Sequence, residues 1–171
     1  TEGPRPDQLE PSNSSPEELL ALAKAKLPAK PIFPFCFRNV ALQSLNNPTQ
    51  QVTNLTGRPY NLFCGVGSPA SVLHSCQAFL GYPAQNFYSF PDHHNYTLPD
   101  LERLCAPGLD LLCTEKDAVK LCKLIASMPS EFTPGCSIWV LQLDVEFPAI
   151  ANGLTFADWW ENSFASIQDK L

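Results

Sequence analysis

Tyr60-Asn61-Leu62-Phe63-Cys64-Gly65-Val66-Gly67-Ser68-Pro69 is the stretch that decides the fold. The first five residues suit a buried strand, and they run directly into a glycine turn. Ser68 stands at a helix N-cap position with Pro69 first inside, the favoured placement. The helix is predicted to reach about Leu80. A strand, a tight turn and a capped helix open a βαβ unit.

The same rhythm continues downstream. Phe87 to Phe90 reads as a strand, and Thr97 caps a helix through Leu104 with Asp100 at its third position. Leu109 to Cys113 reads as a buried strand. Thr114 then caps a helix from Glu115 to about Ile125, with Asp117 three residues on, and Ser137 to Leu143 is the last strand. This alternation predicts an α/β fold: a three-layer α/β/α sandwich on a mostly parallel sheet, preceded by a helix and a short β-ribbon. Ligands in such folds sit beyond the carboxyl ends of the strands. Three polar loops fall there: Gly65 to Ser68, Pro91 to Tyr96, and Thr114 to Asp117.

Upstream, residues 1–14 are rich in Pro, Glu and Ser and are expected to be a disordered lead-in. Ser15-Pro16-Glu17-Glu18 is a capping box opening a helix to about Leu27, with Leu19, Leu20, Ala23 and Leu27 on one face. Residues 32–37 and 40–45 are two short β-like runs suited to a ribbon. The expected organisation is a lead-in over 1–14, a helix and ribbon over 15–57, and an α/β domain over 58–171. The tail from Thr155 spaces Phe156, Trp160, Phe164, Ile167 and Leu171 as a helix, and Trp159 widens its apolar face. That helix packs against a core or docks a partner.

Length and composition fit one ordinary globular domain: 171 residues, 44% hydrophobic and 16% charged. A net charge of −6 argues against nucleic-acid binding, which calls for a basic face. No apolar run approaches a membrane span, and the polar, proline-rich start does not read as a signal peptide. The seven cysteines lack C-x-x-C spacing, so neither a zinc ribbon nor a redox motif is indicated. They are expected to be free thiols acting as small hydrophobes in a reducing compartment.

Chemistry concentrates in Phe90-Pro91-Asp92-His93-His94-Asn95-Tyr96-Thr97, which holds two of the three histidines. An aspartate can orient an imidazole that accepts a proton from a hydroxyl. The same residues can instead cap a helix or join a metal site. Gly65 and Gly67 let the backbone approach a ligand, and Ser68 opens a helix whose N-terminus favours an anion. The turn is not a dinucleotide fingerprint, and no phosphate-binding loop with its lysine occurs in the chain. In Thr114-Glu115-Lys116-Asp117-Ala118-Val119-Lys120, capping accounts for Thr114 and Asp117. Glu115 and Lys116 are free to face a site, Lys116 as a point charge for phosphate. His74, inside the helix from Pro69, reads as structural.

The ordered series Gly65-Val66-Gly67-Ser68-Pro69, Phe90 to Thr97 and Leu112 to Lys120 resembles the C-terminal half of the tetraacyldisaccharide 4'-kinase family, over about Pro31 to Phe147. The resemblance implies transfer of the ATP γ-phosphate to the 4'-hydroxyl of a tetraacyldisaccharide 1-phosphate in lipid A biosynthesis. It implies ATP and magnesium bound mainly by an N-terminal P-loop domain absent from this chain. No cofactor is expected here, no metal ligand is assigned, and the segment alone is expected to be inactive and soluble. The implied partners are that P-loop domain, the lipid A precursor and the cytoplasmic face of the inner membrane, with no nucleic acid. His93 matches a histidine associated with a catalytic Asp–His pair whose aspartate lies in the absent half, and Asp92 would orient the loop. Gly65, Gly67, Ser68, His94, Glu115 and Lys116 are the expected substrate-binding set. Ser68 stands where the family usually has Asn, and Cys113 where Met is common. Two rivals remain: an Asp-His-His metal-dependent phosphohydrolase drawing on Asp110 or Asp144, and a non-catalytic interaction domain docking through Trp159 and Trp160.

Overall fold

The computed structural model describes residues 15–27, 30–105, 108–129, 134–147 and 155–168. Its contacts divide the chain into two compact units, Asn39–Leu143 and Ser12–Arg38 with Asp144–Leu171. The expected lead-in over 1–14 and the last residues of the tail lie outside the described residues.

β1 (Cys36–Ser44), in the first unit from Asn39 on, and β2 (Gln51–Val52) pair antiparallel, with Leu42 opposite Val52. β3 (Tyr60–Cys64) is buried at every residue, so its sequence shows no alternation. It pairs in parallel with β4 (Asn86–Ser89) on one side and β5 (Asp110–Thr114) on the other. β6 (Ile138–Glu146), in this unit up to Leu143, runs parallel to β5. The Leu45 amide, just past β1, donates to the Ile138 carbonyl at 2.9 Å, so the end of β1 meets the start of β6 and the two run antiparallel. The order is β2-β1-β6-β5-β3-β4.

Strand alternation sends Leu62 and Cys64 to one face and Phe63 to the other. On the first face they join Leu112 and the buried Leu73, Cys76 and Leu80 of α2 (Pro69–Leu80). On the second, Phe63, Leu111 and Cys113 pack against α3 (Leu98–Cys105) and α4 (Glu115–Ala126) through Leu101, Leu104, Ala118 and Leu121. The predicted three layers are therefore present. Each fully buried leucine contributes about 2 kcal/mol.

Three readings need correction. The runs 32–37 and 40–45 are not the two arms of a ribbon: Cys36–Ser44 is one strand, and its partner is Gln51–Val52. Arg38 and Asn39 interrupt the apolar pattern, but no Gly or Pro stands there to turn the chain. Ser68 occupies the N-cap of α2 without capping it by side chain; its hydroxyl lies 2.8 Å from that of Ser71. The cysteines are not all free. Cys64, Cys76 and Cys113 are buried thiols and Cys36 and Cys122 are exposed, but Cys105 and Cys136 form a disulfide, their Cα atoms 5.4 Å apart.

In the second unit, α1 (Pro16–Lys26) opens with the expected capping box between Ser15 and Glu18. Leu19, Leu20 and Ala23 line an apolar groove of about 370 Å³ with Ile32, Phe33 and Phe35. α5 (Phe156–Gln168) stacks Phe156 on Phe147 at 4.5 Å and sets Trp159 5.4 Å from Phe33. One side of the aromatic helix is thus packed, while Trp160 and Phe164 remain about half exposed.

Candidate active site

The parallel strands wind in two directions from β3. The crevice beyond the carboxyl ends of β3 and β5 is therefore the switch point where such sheets place ligands. Gly65 follows β3 there, and Asp117 lies one turn beyond β5 in α4. The Gly65 amide donates to the Asp117 carboxylate at 3.2 Å. Asp117 has no solvent exposure and also accepts from the Tyr96 hydroxyl at 2.8 Å and the Thr114 hydroxyl at 2.6 Å. One carboxylate thus ties together all three polar loops.

Gly65 is required by contact, not by φ. A Cβ on it would lie 3.0 Å from the Tyr96 oxygen and 3.2 Å from the Pro91 carbonyl. Burial and the Asp117 charge both raise the Tyr96 hydroxyl far above its ordinary pKa, so it stays a donor. The same two causes push the Cys64 thiol up to about 12.

The loop between β4 and α3 carries the histidines. His93 has a φ of +62°, in the left-handed region that few non-glycine residues adopt. Asp92 Oδ1 accepts the His93 amide at 2.9 Å, and Asp92 Oδ2 lies 3.6 Å from His93 Nε2. The His93 side chain is 78% exposed. Lys116 Nζ lies 2.6 Å from Asp92 Oδ1, and this hydrogen bond holds the Asp92 carboxyl below the usual carboxylate range.

His94 turns the other way. Its ring stacks on Phe90 at 4.6 Å, edges Tyr96, and sets Nε2 3.3 Å from Asp100 Oδ2. Burial pulls the Asp100 carboxyl up, but the Thr97 hydroxyl and amide together with His94 outweigh it and hold it low. Lys120 Nζ donates to the His94 carbonyl at 2.8 Å.

Of the residues expected from sequence, Asp92, His93, Lys116, Gly65 and Gly67 come together; an added Cβ on Gly67 would sit 3.9 Å from Asp92 Oδ2. Ser68 is exposed at the start of α2. His94 is packed inward. Glu115 lines a groove of about 520 Å³ with Leu45, Val119, Cys122 and Lys123. Sequence reasoning misses Tyr96 and Asp117 as site residues and sees in Lys120 only a residue four beyond Lys116 that shares its helix face. Asp117 was read only as a helix-start residue, and its signal was its place one turn past a strand at the switch point. His74 is exposed on α2, its Nδ1 2.9 Å from the Ala70 carbonyl.

Asp92, His93 and His94 do not converge as a metal site, because His93 lies exposed against Asp92 while His94 stacks on Phe90 and lies against Asp100. Asp110 stands at the other end of β5, paired with Arg58 at 3.1 Å and accepting from Trp139 Nε1. Asp144 belongs to the other unit. Among the described residues no three His, Cys, Asp or Glu side chains are grouped to hold a cation.

A model of the family described as LpxK, tetraacyldisaccharide-1-P 4'-kinase, matches residues 11–156. The chain belongs to the tetraacyldisaccharide 4'-kinase family.

Two curated relatives carry that kinase name. One, from Oleidesulfovibrio alaskensis, is 37% identical over 139 residues, 77% of this chain and 36% of its own length. The other, from Nitratidesulfovibrio vulgaris, is 34% identical over 160 residues, 90% of this chain and 42% of its own length. The chain therefore spans about two fifths of the tetraacyldisaccharide 4'-kinases it matches. The crystal structure of LpxK from Aquifex aeolicus in complex with ATP is 21% identical, with a TM-score of 0.42, over 70% of this chain and 33% of that one. Within this family member, no described helix is long and apolar enough to cross a membrane.

Proposed function

We propose that this chain supplies the proton-handling loop of a lipid A 4'-kinase. The longer enzyme transfers the ATP γ-phosphate to the 4'-hydroxyl of a tetraacyldisaccharide 1-phosphate at the cytoplasmic face of the bacterial inner membrane. The observation that carries the reading is the exposed Asp92–His93 pair beyond the strand ends, in a chain whose relatives are named for that reaction.

Phosphoryl transfer asks little covalent chemistry of the protein; positioning and charge neutralisation dominate. The attacking hydroxyl must lose its proton as its oxygen bonds the γ-phosphorus and the bond to ADP breaks. His93 serves that proton, either directly or by polarising an aspartate of the P-loop domain. Gly67 lies beside the pair, where an added Cβ would sit 3.9 Å from Asp92 Oδ2, and Lys116 keeps Asp92 ionised. Neither the residues of the Gly65–Pro69 turn nor the acidic groups described here form a magnesium–ATP cradle. Magnesium and the triphosphate are assigned to the P-loop domain, where magnesium would neutralise phosphate charge. The lipid precursor and the membrane surface are the remaining partners.

The test is a phosphotransfer assay on the longer enzyme with His93→Ala and Asp92→Asn. A fall in kcat of about 100-fold or more for His93→Ala is expected of a lost general base. Undiminished kcat would remove the reading. This chain alone is expected to show no submillimolar ATP binding by calorimetry.

A further inference from the structure

α4 grips the His93 loop at three points. Lys116 Nζ meets Asp92 Oδ1 at 2.6 Å, Asp117 accepts the Tyr96 hydroxyl at 2.8 Å, and Lys120 Nζ donates to the His94 carbonyl at 2.8 Å. These contacts bracket position 93, taking the side chain before it, the backbone after it, and the ring three residues on. Lys116 and Lys120 are one helical turn apart and share a face. Asp117, one position round the helix, turns toward the sheet and is buried.

The bracketed residue is the strained one. A left-handed φ at a non-glycine residue is costly and persists only where its surroundings fix it. The Asp92 oxygen that accepts the His93 amide is the same one that Lys116 holds. Lys116 therefore acts on the conformation of His93 through a single atom. Its charge is already met by Asp92, and Lys120 is engaged by a carbonyl and by the Tyr96 ring 5.9 Å away.

We propose that Lys116, Asp117 and Lys120 are positioning residues that hold His93 in its left-handed conformation with its ring projecting, and that Lys116 serves the loop and not the substrate phosphate. The function of this clamp rests on the reading that His93 takes part in the reaction.

Two measurements decide it. In this chain, amide hydrogen exchange at His93 and His94 should rise about tenfold in Lys116→Met and in Lys120→Met as the loop opens locally. Lys116→Arg, which keeps the pairing, should restore protection. In the longer enzyme, Lys116→Met should lower kcat about 10- to 100-fold with KM for lipid and ATP held within about twofold, the signature of a misplaced group. A raised KM at full kcat would make Lys116 a substrate ligand and overturn the proposal. Unchanged exchange would overturn it as well. The two readings fail separately: an active His93→Ala enzyme sinks the catalytic assignment and the clamp's role with it. An inactive His93→Ala beside an unimpaired Lys116→Met sinks the clamp alone.

Discussion

The Gly65 amide and the Asp117 carboxylate, 52 residues apart in sequence, meet at 3.2 Å and join the ends of β3 and β5. Asp117 is fully buried, and among the described residues the Gly65 amide and the Tyr96 and Thr114 hydroxyls donate to it alone. Asp117→Ala should destabilise the protein by about 3 kcal/mol or more, because it strands buried donors. Tyr96→Phe, which removes one donor and leaves the carboxylate two others, should cost about 1 kcal/mol. Urea unfolding followed by tryptophan fluorescence measures both. A smaller loss for Asp117→Ala than for Tyr96→Phe would contradict the hub.

Packing at the turn separates its two glycines. Gly65→Ala forces a methyl against the Tyr96 oxygen and the Pro91 carbonyl and should cost about 1–3 kcal/mol. Gly67→Ala meets only Asp92 Oδ2 at 3.9 Å and should leave the unfolding midpoint nearly unchanged. Equal effects in a thermal melt would show that the crowding is not felt.

Acid should weaken the structure around the His93 loop through two carboxylates. Asp92 is held low by Lys116 and Asp100 by Thr97 and His94, so both have folded pKa values below their unfolded ones. Their contribution is complete above the unfolded value of about 4 and is lost as pH falls through the folded value. The urea midpoint should therefore decline below about pH 4. Asp100→Asn should flatten that decline. Asp92→Asn should flatten it less, and less again in high salt, because the Asp92–Lys116 pair is solvent-exposed and screened.

Thiol reactivity should divide by burial. Burial pushes Cys64 up to about 12 and Cys76 up to about 11, and it raises Cys113 well above the ordinary thiol value. Iodoacetamide at pH 8 on the native oxidised protein should label Cys36 and Cys122 and spare the other three free thiols. Peptide mass spectrometry reads this directly, and labelling of Cys113 in folded protein would contradict its place in the core.

The strands and helices after residue 58 were legible because their signals are local. Caps at Thr97 and Thr114 and glycines after β3 fix where each element begins, whatever surrounds it. The same localness hid how the site is held together. Nothing at residues 93 and 94 announces that one ring points out and the other in, since that follows from a single left-handed φ in a turn. Asp117 satisfies a local rule at the head of α4, and this masked its bonds to Gly65 and Tyr96, 52 and 21 residues away. The Cys105–Cys136 pairing was likewise invisible, because it depends on segments brought together by the fold.

The Cys105–Cys136 link spans 31 residues and encloses both β5 and α4. In the oxidised chain the segment that positions His93 is thus part of a closed covalent ring. Closing a ring of this size removes unfolded-state entropy worth about 3–4 kcal/mol. A single backbone cut inside it would leave one molecule on a non-reducing gel and two after reduction.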